Sequence, residues 1–231
     1  MNKKRDEPRM ALNLALIALG SNQFSSAGAP APSLRAALIS LAKSDGIRLR
    51  AVSRFYATPA FPAGSGPDYV NACAALATDL PPRALLDRLH LVESAMGRRR
   101  DTGRWGARGI DLDLLAMGDI VLPDPATHDR WRALPLPDQM RETPAELILP
   151  HPRLAERAFV LQPLADIAPD WRHPVTGRSV TDMLDDLPPA SLQEIRVFLD
   201  NRSTTDQVTF SALPDSNRKV IHGPRDRRRL R

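Results

Sequence analysis

The stretch GIDLDLLAMGD, residues 109–119, decides how this chain folds. Ile110, Leu112 and Leu114 alternate with Asp111 and Asp113, and an apolar run then leads to Gly118-Asp119. On a strand, successive side chains point to opposite faces. The two aspartates therefore share one face, while the three aliphatic residues turn to a core. Residues 110–117 read as a strand, which Gly118-Asp119 turns toward Ile120 and Leu122.

The elements before it follow from the same kind of reading. Pro81-Pro82 opens a helix with Leu85, Leu86, Leu89, Val92 and Met96 on its inward face and Gly97 at its C-terminal cap. Residues 69–78 form a strand, and 58–68 a long loop holding three prolines and two glycines. Asp45-Gly46 turns the chain into a strand over residues 47–57. Ser33 caps a helix over residues 34–43, with Leu34, Ala37, Leu38 and Leu41 on one face. The apolar run 14–19 is the first strand and ends at Gly20-Ser21-Asn22.

The order β-α-β-β-α-β is the ferredoxin-like motif, an α+β fold. It predicts a mostly antiparallel sheet with helices on one face, long mobile active-site loops, and the other face left for ligand. Beyond the motif, residues 123–146 are a proline-rich insertion without clear periodicity. A short strand is expected over 147–149, a helix disturbed by Pro163 over 154–164, and a capped helix over 179–187. After Pro188 the pattern weakens. The expected organisation is a loose leader over residues 1–11, one domain over 12–187, and a poorly ordered extension over 188–231.

The chain has 231 residues, 42% hydrophobic and 26% charged, which suits one globular domain. Its net charge of +5 raises the question of nucleic acid. Between Asn217 and Arg231 seven basic residues stand against Asp226, so that tail is +6 and the remainder −1. The basicity belongs to a tail and not to a binding face, and no nucleic-acid partner is expected. Cys73 is the single cysteine and sits in an apolar run, so no intrachain disulfide can form and a cytoplasmic setting is expected. Lys3, Lys4 and Arg5 before an apolar run imitate a signal peptide, but Asn13 interrupts that run and it serves as the first strand. No apolar run reaches the ~18 residues that span a membrane.

The chemistry gathers around the opening stretch. Asp111 and Asp113 lie roughly 7 Å apart along one strand face. Their oxygens can converge on a pair of hard cations, and magnesium prefers a few carboxylates with phosphate oxygens. Just upstream stand Arg98, Arg99, Arg100, Arg104 and Arg108, with only Asp101 against them. Guanidinium groups pair with phosphate oxygens, and without an anion they would repel one another. Gly97, Gly103, Gly106 and Gly109 add hinges, so the loop reads as a lid over a metal–triphosphate complex, with Trp105 placed to stack or seal. The usual nucleotide fingerprints, G-x-x-x-x-G-K-[ST] and G-x-G-x-x-G, are absent.

Four blocks, in order, carry a resemblance. They are ALGSN (18–22), SRFYATPAF with PDYVNA (53–72), GRRRDTGRWGARGIDLDLL (97–115) and LPHPRLAERAFVLQPLADIAP (149–169). Together they resemble the 6-hydroxymethyl-7,8-dihydropterin pyrophosphokinases of folate biosynthesis over roughly residues 12–187. That family transfers the β,γ-pyrophosphoryl group of ATP to the hydroxymethyl of a dihydropterin and releases AMP. The resemblance implies that Asp111 and Asp113 hold two magnesium ions and act in catalysis with Arg98 and Arg108. It implies an ATP site of Leu86, His90, Glu93, Arg98, Arg100, Arg104, Trp105, Arg108, Leu114, His151 and Arg157. The pterin would lie between Tyr69 and Phe159, read by Thr58, Pro59, Phe61 and Asn71, with Trp105 closing over it. Two aromatic rings and an amide suit a flat heterocycle edged with donors and acceptors.

The partners implied are small molecules only, and a monomer is expected. The chain departs from the family where His90 replaces a common glutamine, where 123–146 is longer than usual, and after Leu187. Two alternatives rank behind. An RNA-recognition sheet would need aromatics on its central strands, and residues 14–19 have none. A two-metal nucleotidyltransferase would use the same aspartates but release pyrophosphate.

Overall fold

Strand β1 (Asn13–Ser21) is an interior strand of the sheet, antiparallel to β4 (Tyr69–Thr78) on one side and β5 (Asp111–Met117) on the other. Its Ala15, Leu16, Ile17 and Leu19 are almost wholly buried, which is why the run carries no polar alternation. The computed structural model describes residues 12–60, 66–98 and 109–199. They belong to one unit that ends at Leu199.

The region read as one strand over residues 47–57 is two, β2 (Ile47–Val52) and β3 (Tyr56–Thr58), both pairing with β4. The break has a side-chain cause. Ser53 Oγ accepts the Cys73 N–H at 2.9 Å, in place of a backbone carbonyl. Arg54 then turns its N–H to Asp166 at 3.1 Å, and its guanidinium donates to both oxygens of the same carboxylate. The sheet runs β5-β1-β4-β3-β6, where β6 is the short strand Arg196–Val197, with β2 also on β4.

Helices α1 (Pro30–Ala42) and α2 (Pro82–Ala95) cover one face. Leu34, Ala37, Leu41, Leu85, Leu89 and Val92 pack there against Ile17, Leu19, Leu76, Leu112 and Leu114. Burying apolar area of this kind supplies most of the stabilisation, ~25 cal/mol per Å². α1 starts at Pro30 and not at Leu34, and Ser33 does not cap it. The Ser33 hydroxyl instead bonds the carbonyls of Gly28 and Ala29 and pairs with Ser25 Oγ at 2.7 Å. Proline at the first helical position starts the helix without a side-chain cap. Gly97 adopts a φ of 89° just past α2, the terminator read from sequence.

The opposite face is not wholly open. Leu16, Cys73, Ala75, Leu115 and Ala116 pack under a 3-10 turn (Leu154–Glu156), α5 (Ala158–Ala165) and α6 (Val180–Asp185). The helix expected over 154–164 is thus divided, because Arg157 takes extended backbone between the two pieces. Ser179 caps α6 reciprocally with Asp182. At one end of this face Gly20, Asn71 and Asp111 stand outside that cluster.

Residues 123–146 hold two helices, α3 (Pro125–Ala133) and α4 (Leu136–Arg141), where periodicity showed none. Asp124 caps α3 by accepting the Thr127 N–H at 3.0 Å. Residues 120–122 and 147–149 meet only in the single bridge Leu122–Leu149. Past Pro188 the chain forms α7 (Pro189–Gln193) and β6 (Arg196–Val197), which pairs with β3. Phe198 N–H bonds the Phe55 carbonyl at 2.7 Å. A strand of two residues has no periodicity to read, so the sequence pattern passes over it. Among the described residues no helix is long and apolar enough to cross a membrane.

Candidate active site

Two rows of the sheet build the site. Asp111 stands opposite Gly20, which stands opposite Asn71, which stands opposite Tyr56. Two residues along, Asp113 stands opposite Ala18 and Ala18 opposite Cys73. Directly opposed residues on antiparallel strands share a face. Both aspartates therefore look out on the same side as Asn71, with only Gly20 and Ala18 between.

Gly20 is needed for its lack of bulk. It has no positive φ, but a Cβ there would lie 2.9 Å from Asn71 Oδ1 and 3.9 Å from Tyr69 Cδ1. The Asn71 amide nitrogen donates to Thr58 Oγ1 at 2.7 Å, and both residues are buried. Tyr69 and Phe159 are half-buried and Pro59 is exposed.

β5 is an edge strand, and its outward N–H groups need partners. Glu93, on α2 and 1% exposed, accepts the Leu112 N–H through Oε1 at 2.7 Å. The same oxygen takes Arg98 Nη1, which also donates to Asp111 Oδ1 at 2.5 Å. One arginine thus ties α2 to the aspartate strand. Burial pushes the Glu93 carboxyl up to about 7, against the opposing pull of the Leu112 N–H and Arg98. The structure gives Glu93 the task of holding β5 and Arg98 from inside, instead of the outward nucleotide contact expected.

His151 reaches this region through a bulge. Ile17 pairs with Leu114 and Leu16 with Ala116, so Leu115 is the extra residue of β5. Its carbonyl, freed from the ladder, accepts the His151 N–H at 2.7 Å. His151 Nδ1 accepts the Arg153 N–H at 3.1 Å, which leaves Nε2 as the proton-bearing nitrogen of the neutral ring. Burial, and then Arg157 and Arg153, lower the imidazole to about 3, so it stays neutral. Arg157 is itself lowered by burial, with Asp113 and Asp111 as its principal compensating charges, and it lies 5.7 Å from the Phe159 ring centre.

The structure therefore brings Arg98, Asp111, Asp113, His151 and Arg157 to one region, with Asn71 and Thr58 across the sheet from the aspartates. It does not bring Leu114 there. That side chain is 4% exposed in the core under α1 and α2, on the face away from Asp113, so packing is its role. Leu86 packs on that same core and His90 is half-buried on α2. Phe61, Arg100, Arg104, Trp105 and Arg108 lie outside the described residues. Sequence reasoning missed Gly20 as the low floor between the two halves. The sequence pointed elsewhere, because Gly20-Ser21-Asn22 reads as the turn that ends the apolar run.

Comparison with known proteins shows the family and the fold. The family model described as 7,8-dihydro-6-hydroxymethylpterin-pyrophosphokinase matches residues 16–169. A Synechocystis protein named 2-amino-4-hydroxy-6-hydroxymethyldihydropteridine pyrophosphokinase is 34% identical over 171 residues, 74% of each chain. Proteins of the same name are similar in Pseudomonas aeruginosa, 38% identical over 73% of this chain and 88% of that one, and in Methylorubrum extorquens, 35% over 78% and 98%. Among solved structures, a triple mutant of Plasmodium falciparum HPPK-DHPS superimposes with a TM-score of 0.54 at 15% identity. That match covers 78% of this chain but spans only 45% of the other, and it establishes the ferredoxin-like fold alone.

Proposed function

The chain belongs to the 7,8-dihydro-6-hydroxymethylpterin-pyrophosphokinase family, and from that premise we propose that its reaction takes place on the face carrying Asp111, Asp113 and Asn71. The enzyme transfers the β,γ-pyrophosphoryl group of its co-substrate ATP to the hydroxymethyl of 6-hydroxymethyl-7,8-dihydropterin in folate biosynthesis, releasing AMP. The observation that supports the location is the pair of rows across β5, β1 and β4. They set two carboxylates on one side of a glycine and a buried amide on the other.

The donor set suits magnesium. Asp111 and Asp113 are half-buried, share a face and offer hard oxygens. Among the described residues no group of three acidic, histidine or cysteine side chains gathers to hold a metal. Magnesium is commonly held by one or two carboxylates together with phosphate oxygens and water. Two bound ions would neutralise triphosphate charge and align its oxygens.

The chain's own groups do the rest. Arg98, held by Glu93 and Asp111, presents a fixed cation at the edge of the aspartate pair. Arg157 and the neutral Nε2–H of His151 supply further phosphate donors, with Arg100, Arg104 and Arg108 assigned to the same anion. Leu86 and His90 flank the nucleotide from α2. Asn71 gives one of its two amide hydrogens to Thr58, which fixes the side chain with its Oδ1 above Gly20 as an acceptor for an amino-bearing pterin edge. Tyr69 and Phe159 flank the ring, and Pro59, Phe61 and Trp105 close the pocket. Among the described residues, the side chains that face out on this site offer no strong proton acceptor apart from the aspartates. Positioning and charge neutralisation carry most of a loose phosphoryl-transfer transition state.

We take the enzyme to act as a cytoplasmic monomer on small molecules, with a catalytic domain that extends through β6. The test is direct. Folded protein supplied with ATP, magnesium and 6-hydroxymethyl-7,8-dihydropterin yields AMP. Pyrophosphate in place of AMP would indicate nucleotidyl transfer and refute the assignment.

A further inference from the structure

We propose that His128, in the helix α3 of the 123–146 segment, is a positioning residue that holds the imidazole of His151 in place for the triphosphate. This rests on the reading of His151 as a phosphate contact. The argument turns on one peptide unit. The group joining Pro150 to His151 offers a carbonyl at one end and an N–H at the other. The N–H goes to the Leu115 carbonyl at 2.7 Å, and the carbonyl takes His128 Nε2 at 3.0 Å. A carbonyl only accepts, so His128 Nε2 carries the proton. The plane from which the His151 side chain springs is therefore pinned from β5 on one side and from α3 on the other.

His128 is itself fixed. It is 0% exposed and its ring centre lies 5.5 Å from that of His173, which is 2% exposed. His173 accepts the Val175 and Thr176 N–H groups through Nδ1, at 3.2 and 3.4 Å. Trp171 packs on His173 at 6.0 Å and donates to the Gly118 carbonyl at 3.3 Å, just past β5. Burial lowers the pKa of both histidines, which keeps the donor neutral. A buried histidine in a helix whose other residues are not buried is costly to retain, and a hydrogen bond into the backbone of a site residue accounts for it.

The test is a double-mutant cycle read as ATP and pterin affinities of the folded, full-length chain, using a non-hydrolysable magnesium–ATP analogue. His128→Phe keeps the ring contact with His173 and removes the donor. The expected result is roughly tenfold weaker nucleotide binding with pterin binding changed less than about twofold. In a His151→Ala background the same substitution should cost less than about twofold. Equal cost in both backgrounds, or a folded H128F with unchanged nucleotide affinity, overturns the proposal. A His151→Ala variant that binds nucleotide normally overturns the reading of His151 itself, a separate result. If H128F melts below the assay temperature, His128→Gln and His128→Asn decide the matter. Gln places its amide nitrogen near the position of Nε2, and Asn stops near Nδ1. Near-normal nucleotide binding by Gln with weakened binding by Asn upholds the proposal, and equal affinities of the two overturn it.

Discussion

Replacing Gly20 with alanine tests the site with a single methyl group. The new carbon would stand 2.9 Å from Asn71 Oδ1, whereas unstrained carbon–oxygen contacts begin at roughly 3.3 Å. Asn71 must withdraw by about 0.4 Å or rotate. It cannot retreat toward Thr58, to which it already donates at 2.7 Å. Its backbone is held opposite Gly20 in the β1–β4 ladder. The amide therefore turns, and either the Thr58 bond or the pterin-facing acceptor is lost. One buried hydrogen bond corresponds to about 1–1.5 kcal/mol, or roughly tenfold in affinity. The fold should not suffer, because Gly20 has no positive φ and alanine in a strand regains about 0.5–1 kcal/mol of backbone entropy. Among the described residues, its chain neighbours aside, Asn71 and Tyr69 alone come within 4 Å of the added carbon, so the aspartates are undisturbed. Steady-state kinetics of G20A should show a pterin KM raised roughly tenfold, an ATP KM changed less than about twofold, and a melting temperature within a few degrees of wild type. In an Asn71→Ala background the same methyl should have no further effect on the pterin KM. A folded G20A with normal pterin KM, or with ATP and pterin equally weakened, would refute the reasoning.

Asp111→Ala and Asp113→Ala should each abolish AMP production while circular dichroism stays near wild type and melting falls by a few degrees, as Arg98 and Arg157 lose a compensating charge; wild-type turnover in either variant removes the metal assignment. Stability should also depend on pH through His173, whose imidazole is held down to about 4 by burial and by His128. The folded state prefers the neutral ring, so this contribution is complete above pH 6.5 and declines as pH falls toward 4, by about 3 kcal/mol at most. His173→Asn, which keeps an acceptor for Val175 and Thr176, should flatten that part of the melting-temperature profile, and an unchanged slope would count against it. Truncation after Leu199 should leave melting and turnover intact, whereas truncation after Leu187 should lower the melting temperature, because it removes β6 and the Phe198–Phe55 hydrogen bond. Equal stability of the two truncated chains would show that β6 adds nothing measurable.

The elements with long apolar patterns were legible before any coordinates. Residues 14–19, 69–78 and 110–117, and the helix opened by Pro81-Pro82, follow from periodicities that a sheet buried on one side and a helix packed on it impose locally. The shared face of Asp111 and Asp113 was legible for the same reason, since alternation is a property of one strand. Other features depend on partners distant in the chain, and no local rule reports them. Ser53 ends β2 because its hydroxyl finds Cys73, and Arg54 leaves the sheet because Asp166 lies beside it. Glu93 reads as an ordinary polar residue of a helix until β5 sets its unpaired Leu112 N–H against it.

What the sequence determined by itself was the order of the elements, the chemistry of the aspartate–arginine stretch and, through four matching blocks, the family. Tertiary structure alone decided that Gly20 is the gap between the two halves of the site, that the Leu115 bulge carries His151 to the aspartate strand, and that α3 reaches Pro150. The physical reason is the same in each case. Strand and helix periodicity are fixed by bonds between near neighbours, whereas a gap, a bulge carbonyl and a buried donor acquire meaning only from the atom that the fold places opposite them.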